Sequence, residues 1–109
     1  MEITITDEAA VKIKEKTEGK KGYLKLKYNT DGCGCAVNGV IELWFVSEIE
    51  NGDIAIETNE WPIYIEKAKT VYFDEKMKIH FSKDVNSFQL ISPQQILNGF
   101  MNLVIRNCN

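Results

Sequence analysis

The sequence predicts a mainly β domain with one or two short α-helices. Three observations carry this. Most of the chain falls into short segments of alternating apolar and polar residues, the period of a half-buried strand. Only residues 7–17 show a helical period over a useful length. The turns between segments are marked by Asn51-Gly52 and Asp74-Glu75.

Taken in order, Glu2–Thr6 alternates and reads as a first strand. Thr6 then caps a helix over 7–17, with Asp7 and Glu8 against the positive end of its dipole. Ala10, Ile13 and Thr17 share one face, and Gly19 supplies the stop. Tyr23–Tyr28 sets Leu24, Leu26 and Tyr28 on one side and Lys25 and Lys27 on the other. Val40–Val46 is nearly continuous apolar, which predicts cover on both faces. Further strands are expected over Asp53–Glu57, Trp61–Ile65 (Pro62 near its start), Lys76–Phe81 and Ser87–Ile91. Glu66–Tyr72 is a candidate second helix. The tail holds two competing signals. Ser92-Pro93-Gln94-Gln95 has the form of a capping box, but Gly99 interrupts the pattern and Leu103–Ile105 suits a strand, which favours an extended tail. Six or seven strands result.

One hundred and nine residues suit one domain, 1–109, without a linker, repeat or low-complexity segment. The chain is 44% hydrophobic and 27% charged, values of an ordinary globular protein rather than a disordered or membrane-spanning one. Its longest purely apolar run is Leu43–Val46, so no membrane partner is expected. A net charge of −3 argues against nucleic acid as a partner. No signal peptide is visible at Met1, and three cysteines, an odd number, argue against a secreted disulfide scaffold. The expected location is cytoplasmic. Residues 12–27 hold seven lysines against two glutamates, whereas residues 42–60 hold six acids and no lysine. These read as two solvated faces, or as a dipolar surface that steers a partner.

One segment asks for chemistry. Thr30-Asp31-Gly32-Cys33-Gly34-Cys35-Ala36-Val37-Asn38-Gly39 lies between two strand signals and contains three of the seven glycines and two of the three cysteines. A glycine-rich backbone can aim two thiolates at one object. A disulfide between them would close a small strained ring. Thiolates select zinc, copper(I) or iron–sulfur clusters. Two do not fill a tetrahedral site, so the rest must come from Cys108, another chain or a ligand. The plainer reading is a tight turn with incidental cysteines. Cys108, one residue from the end, is a free thiol or a third ligand. His80 lies out of phase with Met77, Ile79 and Phe81 and reads as a surface or partly buried strand residue. No Ser/His/Asp arrangement and no phosphate loop is present, so an enzyme is not expected.

The opening Met1-Glu2-Ile3-Thr4-Ile5-Thr6-Asp7-Glu8-Ala9-Ala10, the strand Lys25-Leu26-Lys27-Tyr28, the loop Gly32-Cys33-Gly34 and the segment Ser87-Phe88-Gln89-Leu90-Ile91-Ser92-Pro93 together resemble the HesB/IscA-like proteins, the A-type iron–sulfur carriers. The likeness runs from residue 1 to about 93. It implies a compact HesB-like β-sandwich or pseudobarrel that binds iron or a [2Fe–2S] cluster and passes it to apo iron–sulfur proteins or assembly machinery. The full family motif has one cysteine in the central loop and a Cys-Gly-Cys pair in the tail. Cys33 falls on the loop position. Counting from Pro93 puts the tail positions on Gly99 and Met101, and Cys35 has no counterpart. The sequence thus looks like a short branch with Gly-Cys-Gly-Cys in the central loop. Cys33 and Cys35, with Cys108 as a third candidate, are then the implied ligands. A homodimer would supply four loop thiolates, the number a [2Fe–2S] cluster takes. The alternatives are a metal-free HesB-like interaction or regulatory module, and a thiol redox protein using Cys33 and Cys35.

Overall fold

The computed structural model describes residues 1–29 and 40–106. Among them, nine strands form two sheets. The first sheet has the order β1-β6-β7-β8 and the second β4-β5-β2-β3-β9. The strands are β1 (Glu2–Ile5), β2 (Tyr23–Asn29), β3 (Val40–Val46), β4 (Asp53–Ile56), β5 (Ile63–Glu66), β6 (Lys76–Ser82), β7 (Ser87–Ile91), β8 (Ile96–Met101) and β9 (Leu103–Arg106). One α-helix, α1 (Asp7–Thr17), joins β1 to β2, and a 3-10 helix spans Lys67–Tyr72. The mainly β architecture expected of the sequence is therefore the one observed.

Local chemistry accounts for the first elements. Thr6 Oγ1 accepts from the Ala9 amide at 3.3 Å and so caps α1. At the other end Gly19 takes φ +76°, a left-handed backbone that suits glycine, and the Lys20 amide closes on the Thr17 carbonyl at 2.9 Å. Ala9, Ala10 and Ile13 bury one face of α1. His80 on β6 is half-buried and meets Thr6 Oγ1 through Nδ1 at 3.2 Å, so its role is a strand–cap contact.

The core lies between the sheets and beneath α1. Ile3, Ile5, Leu26, Leu43, Ile63, Ile65, Ile79, Phe88, Leu90 and Met101 are among its buried members. The edge of β1 is finished by a side chain. Asn59 accepts from the Ile5 amide at 2.7 Å and donates to the Ile5 carbonyl at 2.9 Å, which supplies the two bonds a further strand would make.

Several expectations are corrected. β3 alternates rather than being covered on both faces: Ile41, Leu43 and Phe45 are buried, while Glu42 and Trp44 are half-buried. Trp44 is instead shielded by the cations Lys27 and Arg106, which lie 5.7 and 4.4 Å from its ring centre. β5 starts after Pro62, not at Trp61, as suits a residue without an amide hydrogen. The candidate helix at Glu66–Tyr72 is a 3-10 helix with Glu66 before it. Ser92 does cap, but only a turn: its Oγ accepts from the Gln94 and Gln95 amides at 3.3 and 3.2 Å, and the chain then enters β8. Pairing with β7 outweighs the local helix signal, because it satisfies the tail's backbone groups and buries Met101.

The largest correction concerns Lys25. Period-2 logic sets it on the polar side of β2, yet it is 1% exposed. Asp53, at the start of β4, reaches across and takes its ammonium at 3.0 Å, and Glu50 adds a second contact at 3.6 Å. Lys27 pairs likewise with Glu66 on β5. The lysine-rich and acid-rich segments are thus not simply two separate solvated faces. Part of each is spent on the other.

Candidate functional site: the base of the cysteine loop

The backbone pairing of β2 with β3 ends at Asn29 opposite Val40. The glycine- and cysteine-bearing segment 30–39 therefore connects the far ends of a seven-pair antiparallel ladder. Cys33 and Cys35 lie within that segment and Cys108 follows Arg106, so all three predicted ligands fall outside the described residues. The ends of β2 and β3 form a platform from which the segment springs.

That platform is aromatic and apolar. Tyr28, next to last in β2, stacks on Tyr72 of the 3-10 helix, with centroids 3.9 Å apart and planes 2° from parallel. Val40, Ile41, Ile96 and Leu97 complete the walls of an open cleft of about 490 Å³. Asn98 of β8 ties the two sheets together here. Its Nδ2 donates to the Ile41 carbonyl at 2.7 Å, and its Oδ1 accepts from the Phe100 amide at 2.9 Å. Val40, Val71, Tyr72, Ile96 and Phe100 are all exposed large apolar side chains.

The rim is braced by the turn before β8. Gln95, which lines the cleft, donates its side-chain Nε2 to Asp74 Oδ2 at 3.2 Å. Hydrogen bonds from Ser92 first, then Gln95, hold the Asp74 carboxyl below the usual aspartate value, because both stabilise the ionised form.

The tail positions of the family motif can be placed as well. Gly99 and Met101 lie in β8, where Met101 is buried in register with Phe88. β8 passes beside the base of the segment through Asn98, and the two tail positions hold Gly99 and Met101 in place of thiols. Among the described residues, no group of three or more His, Cys, Asp or Glu side chains could hold a metal ion. The Tyr28–Tyr72 stack and the Asn98 tether were not singled out from sequence. An aromatic residue at a strand's end, just before the glycine-rich segment, was the available signal.

Comparison with known proteins identifies the fold and the family. The family model for iron–sulphur cluster biosynthesis matches residues 1–105. The uncharacterized protein YqkB of Bacillus subtilis strain 168 is 32% identical over 107 residues, covering 97% of this chain and all of that protein. Among solved structures, a candidate Fe–S biosynthesis protein of Lactobacillus salivarius superposes with a TM-score of 0.81 at 21% identity, over 98% of this chain and 99% of its own. Its counterpart from Lactobacillus acidophilus gives 0.75 at 17% identity, over 96% and 90%. Escherichia coli SufA, a protein involved in biosynthesis of iron–sulfur clusters, gives 0.60 at 18% identity, over 86% and 88%. These structural likenesses carry the fold, and the match along nearly the whole sequence carries the family. The chain belongs to the iron–sulphur cluster biosynthesis family, the HesB/IscA-like proteins.

Proposed function

We propose that this protein is a non-catalytic carrier of iron or a [2Fe–2S] cluster, held by Cys33 and Cys35 from two copies of the chain. The observation that carries this reading is the placement of the Gly-Cys-Gly-Cys segment. Two thiols sit in the connection between β2 and β3, at the end of a stiff ladder braced by Tyr28–Tyr72 and Asn98. The cluster is cargo. Its soft iron suits thiolate donors, and four of them complete a [2Fe–2S] cluster. One chain offers two in the segment, so a homodimer completes the set.

Chain geometry supports Cys33 and Cys35 over Cys108. β9 runs parallel to β3 with Arg106 opposite Val46, the end of β3 farthest from Val40. Six strand steps separate Val40 from Val46, about 20 Å. Two residues beyond Arg106 reach at most about 7 Å, and four beyond Asn29 at most about 14 Å. Cys108 and Cys33 of one chain would meet only with both stretches nearly straight and turned toward each other. Two loops from two copies need no such extension.

Transfer follows by ligand exchange. An acceptor's thiolate displaces one carrier thiolate at a time, and no bond of an organic substrate is made or broken. Acceptors are apo iron–sulfur proteins or the assembly machinery. The thiolate form requires a reducing compartment, so the cytoplasm is the proposed location. Among the described residues, no helix is long and apolar enough to cross a membrane.

Anaerobic reconstitution with iron and sulfide, followed by absorption spectroscopy and iron and sulfide analysis, tests the reading. The parent and Cys108→Ser should load a cluster at one per two chains, and Cys33→Ser with Cys35→Ser should load none. Equal loading by the double variant overturns the proposal. The missing thiolates at Gly99 and Met101 favour a metal-free interaction module as the second reading, and a parent that takes up no iron anaerobically would support it. A reversible thiol titration change without iron would point instead to redox use of the Cys33/Cys35 pair.

A further inference from the structure

A second cleft lies at the other end of the β2–β3 ladder. Tyr23 and Val46 pair there, six steps and about 20 Å from Val40. The cleft has a volume of about 710 Å³, within the usual range for ligand sites. Its aromatic lining is Tyr23, Phe45, Trp61 and Tyr64, and Tyr23 meets Tyr64 edge-on at 5.6 Å. Lys14, Lys20 and Lys21 also line it, with the Lys14 ammonium 5.9 Å from the Trp61 ring centre, and no acidic side chain lines the cleft. All three lysines are exposed, and among the described residues none has a carboxylate partner. This contrasts with Lys25 and Lys27, which are committed to Asp53 and Glu66.

We propose that this cleft binds an acidic peptide segment of a protein partner. Its carboxylates would meet Lys14, Lys20 and Lys21, and a bulky apolar side chain would lie against Trp61. Charge complementarity selects the sign: three ammonium groups without a carboxylate partner lie among aromatic side chains in a protein whose net charge is −3. The shape of the charge selects a peptide over a compact anion. The lysines stand on flexible stems around α1's C-terminal end, where the helix dipole is negative and repels a small anion seated close to the backbone. Carboxylates spread along an extended segment can instead be met at a distance by the stems. The floor is also constrained. A Cβ at Gly22 would come within 2.4 Å of the Val46 carbonyl oxygen, so the chain passes tightly beneath the cleft. Because the cleft and the cysteine segment occupy opposite ends of the ladder, a partner can be held here while the cargo site stays accessible.

The probe is a short fluorescein-labelled peptide rich in Asp and Glu around a central Phe-Leu pair, measured by fluorescence anisotropy with the full chain. The expected result is saturable binding, weakened at least about tenfold by Lys20→Glu with Lys21→Glu. Raising the salt from about 0.05 to 0.5 M should weaken it severalfold, since exposed charges are screened. A control peptide with Gln for every acid should bind at least about tenfold less tightly. Replacing the peptide's Phe-Leu by Ser-Ser should also weaken binding, which tests the aromatic wall even if Trp61→Ala does not fold. Cys33→Ser with Cys35→Ser should bind the acidic peptide like the parent, so this proposal fails or stands apart from the cargo reading. Absence of saturation, equal binding of the Gln peptide, no effect of the double charge reversal, or tighter binding of a single-stranded oligonucleotide would each overturn it.

Discussion

Lys25 and Asp53 offer the sharpest quantitative test of how this fold is held. Their side chains are 2% and 0% exposed, and their charged atoms lie 3.0 Å apart. Asp53 Oδ2 also accepts from the Glu50 amide at 3.1 Å, while Oδ1 has no partner among the described residues. Removing Lys25 orphans the buried Asp53 carboxylate, and removing Asp53 leaves the buried Lys25 ammonium only the exposed Glu50 carboxylate at 3.6 Å. Such an orphan costs about 3–5 kcal/mol, whereas replacing both by apolar groups is often close to neutral. Lys25→Met and Asp53→Ala should therefore each destabilise by about 3–5 kcal/mol. The double variant should lose much less than the sum. It forfeits the pair and the Glu50 hydrogen bond, the latter worth about 0.5–1.5 kcal/mol. A domain of this size has about 5–15 kcal/mol in all, so the single variants fall near the threshold of folding. Urea unfolding followed by circular dichroism measures this. With a slope of about 1.5 kcal/mol/M, each single change should lower the midpoint by about 2–3 M. Single losses below about 1 kcal/mol, or losses that simply add in the double variant, would refute the reasoning.

Other perturbations address separate parts of the structure. Gly22→Ala places a Cβ 2.4 Å from the Val46 carbonyl oxygen, and the required shift should cost about 1–3 kcal/mol in thermal unfolding; an unchanged melting temperature would show that the approach is looser. Asn59→Ala removes both hydrogen bonds to the Ile5 backbone, so it should destabilise by about 1–2 kcal/mol and speed amide exchange at Ile5; unchanged exchange there would contradict the strand-edge role. Asp74 has a lowered folded pKa, so its contribution to stability is present above its unfolded value of about 3.8 and lost as pH falls through the lower folded value. Carbon-detected NMR titration should find the Asp74 midpoint below 3.8 in the parent and shifted back toward it in Ser92→Ala with Gln95→Ala. A midpoint unmoved by the double change would remove these two side chains as the cause.

Local signals in the chain were sufficient for much of the fold. Thr6 with Asp7 and Glu8, and Gly19 in the left-handed conformation, bound α1 where the composition placed it. The alternation of Met77, Ile79 and Phe81 and of Phe88 and Leu90 became the buried faces of β6 and β7. β8 was harder to see, since Asn98-Gly99 is a poor strand sequence and Ser92-Pro93 a good helix start. Its pairing with β7 and the Asn98 bond to Ile41 depend on residues distant in the chain.

The sequence by itself determined the mainly β class, α1 and most of the strands, the family resemblance and the presence of two cysteines in one glycine-rich segment. All of these rest on local spacing and residue chemistry. Only the tertiary structure decided which elements meet. It sheltered Lys25 against an aspartate 28 residues away, and it set Tyr72 on Tyr28 at the base of the cysteine segment. It also gathered Lys14, Lys20 and Lys21 with Trp61 and Tyr64 in one cleft. The physical reason is common to all three. A periodic pattern says which way a side chain points from its own strand or helix, but its burial and its partner depend on what another segment lays across that face.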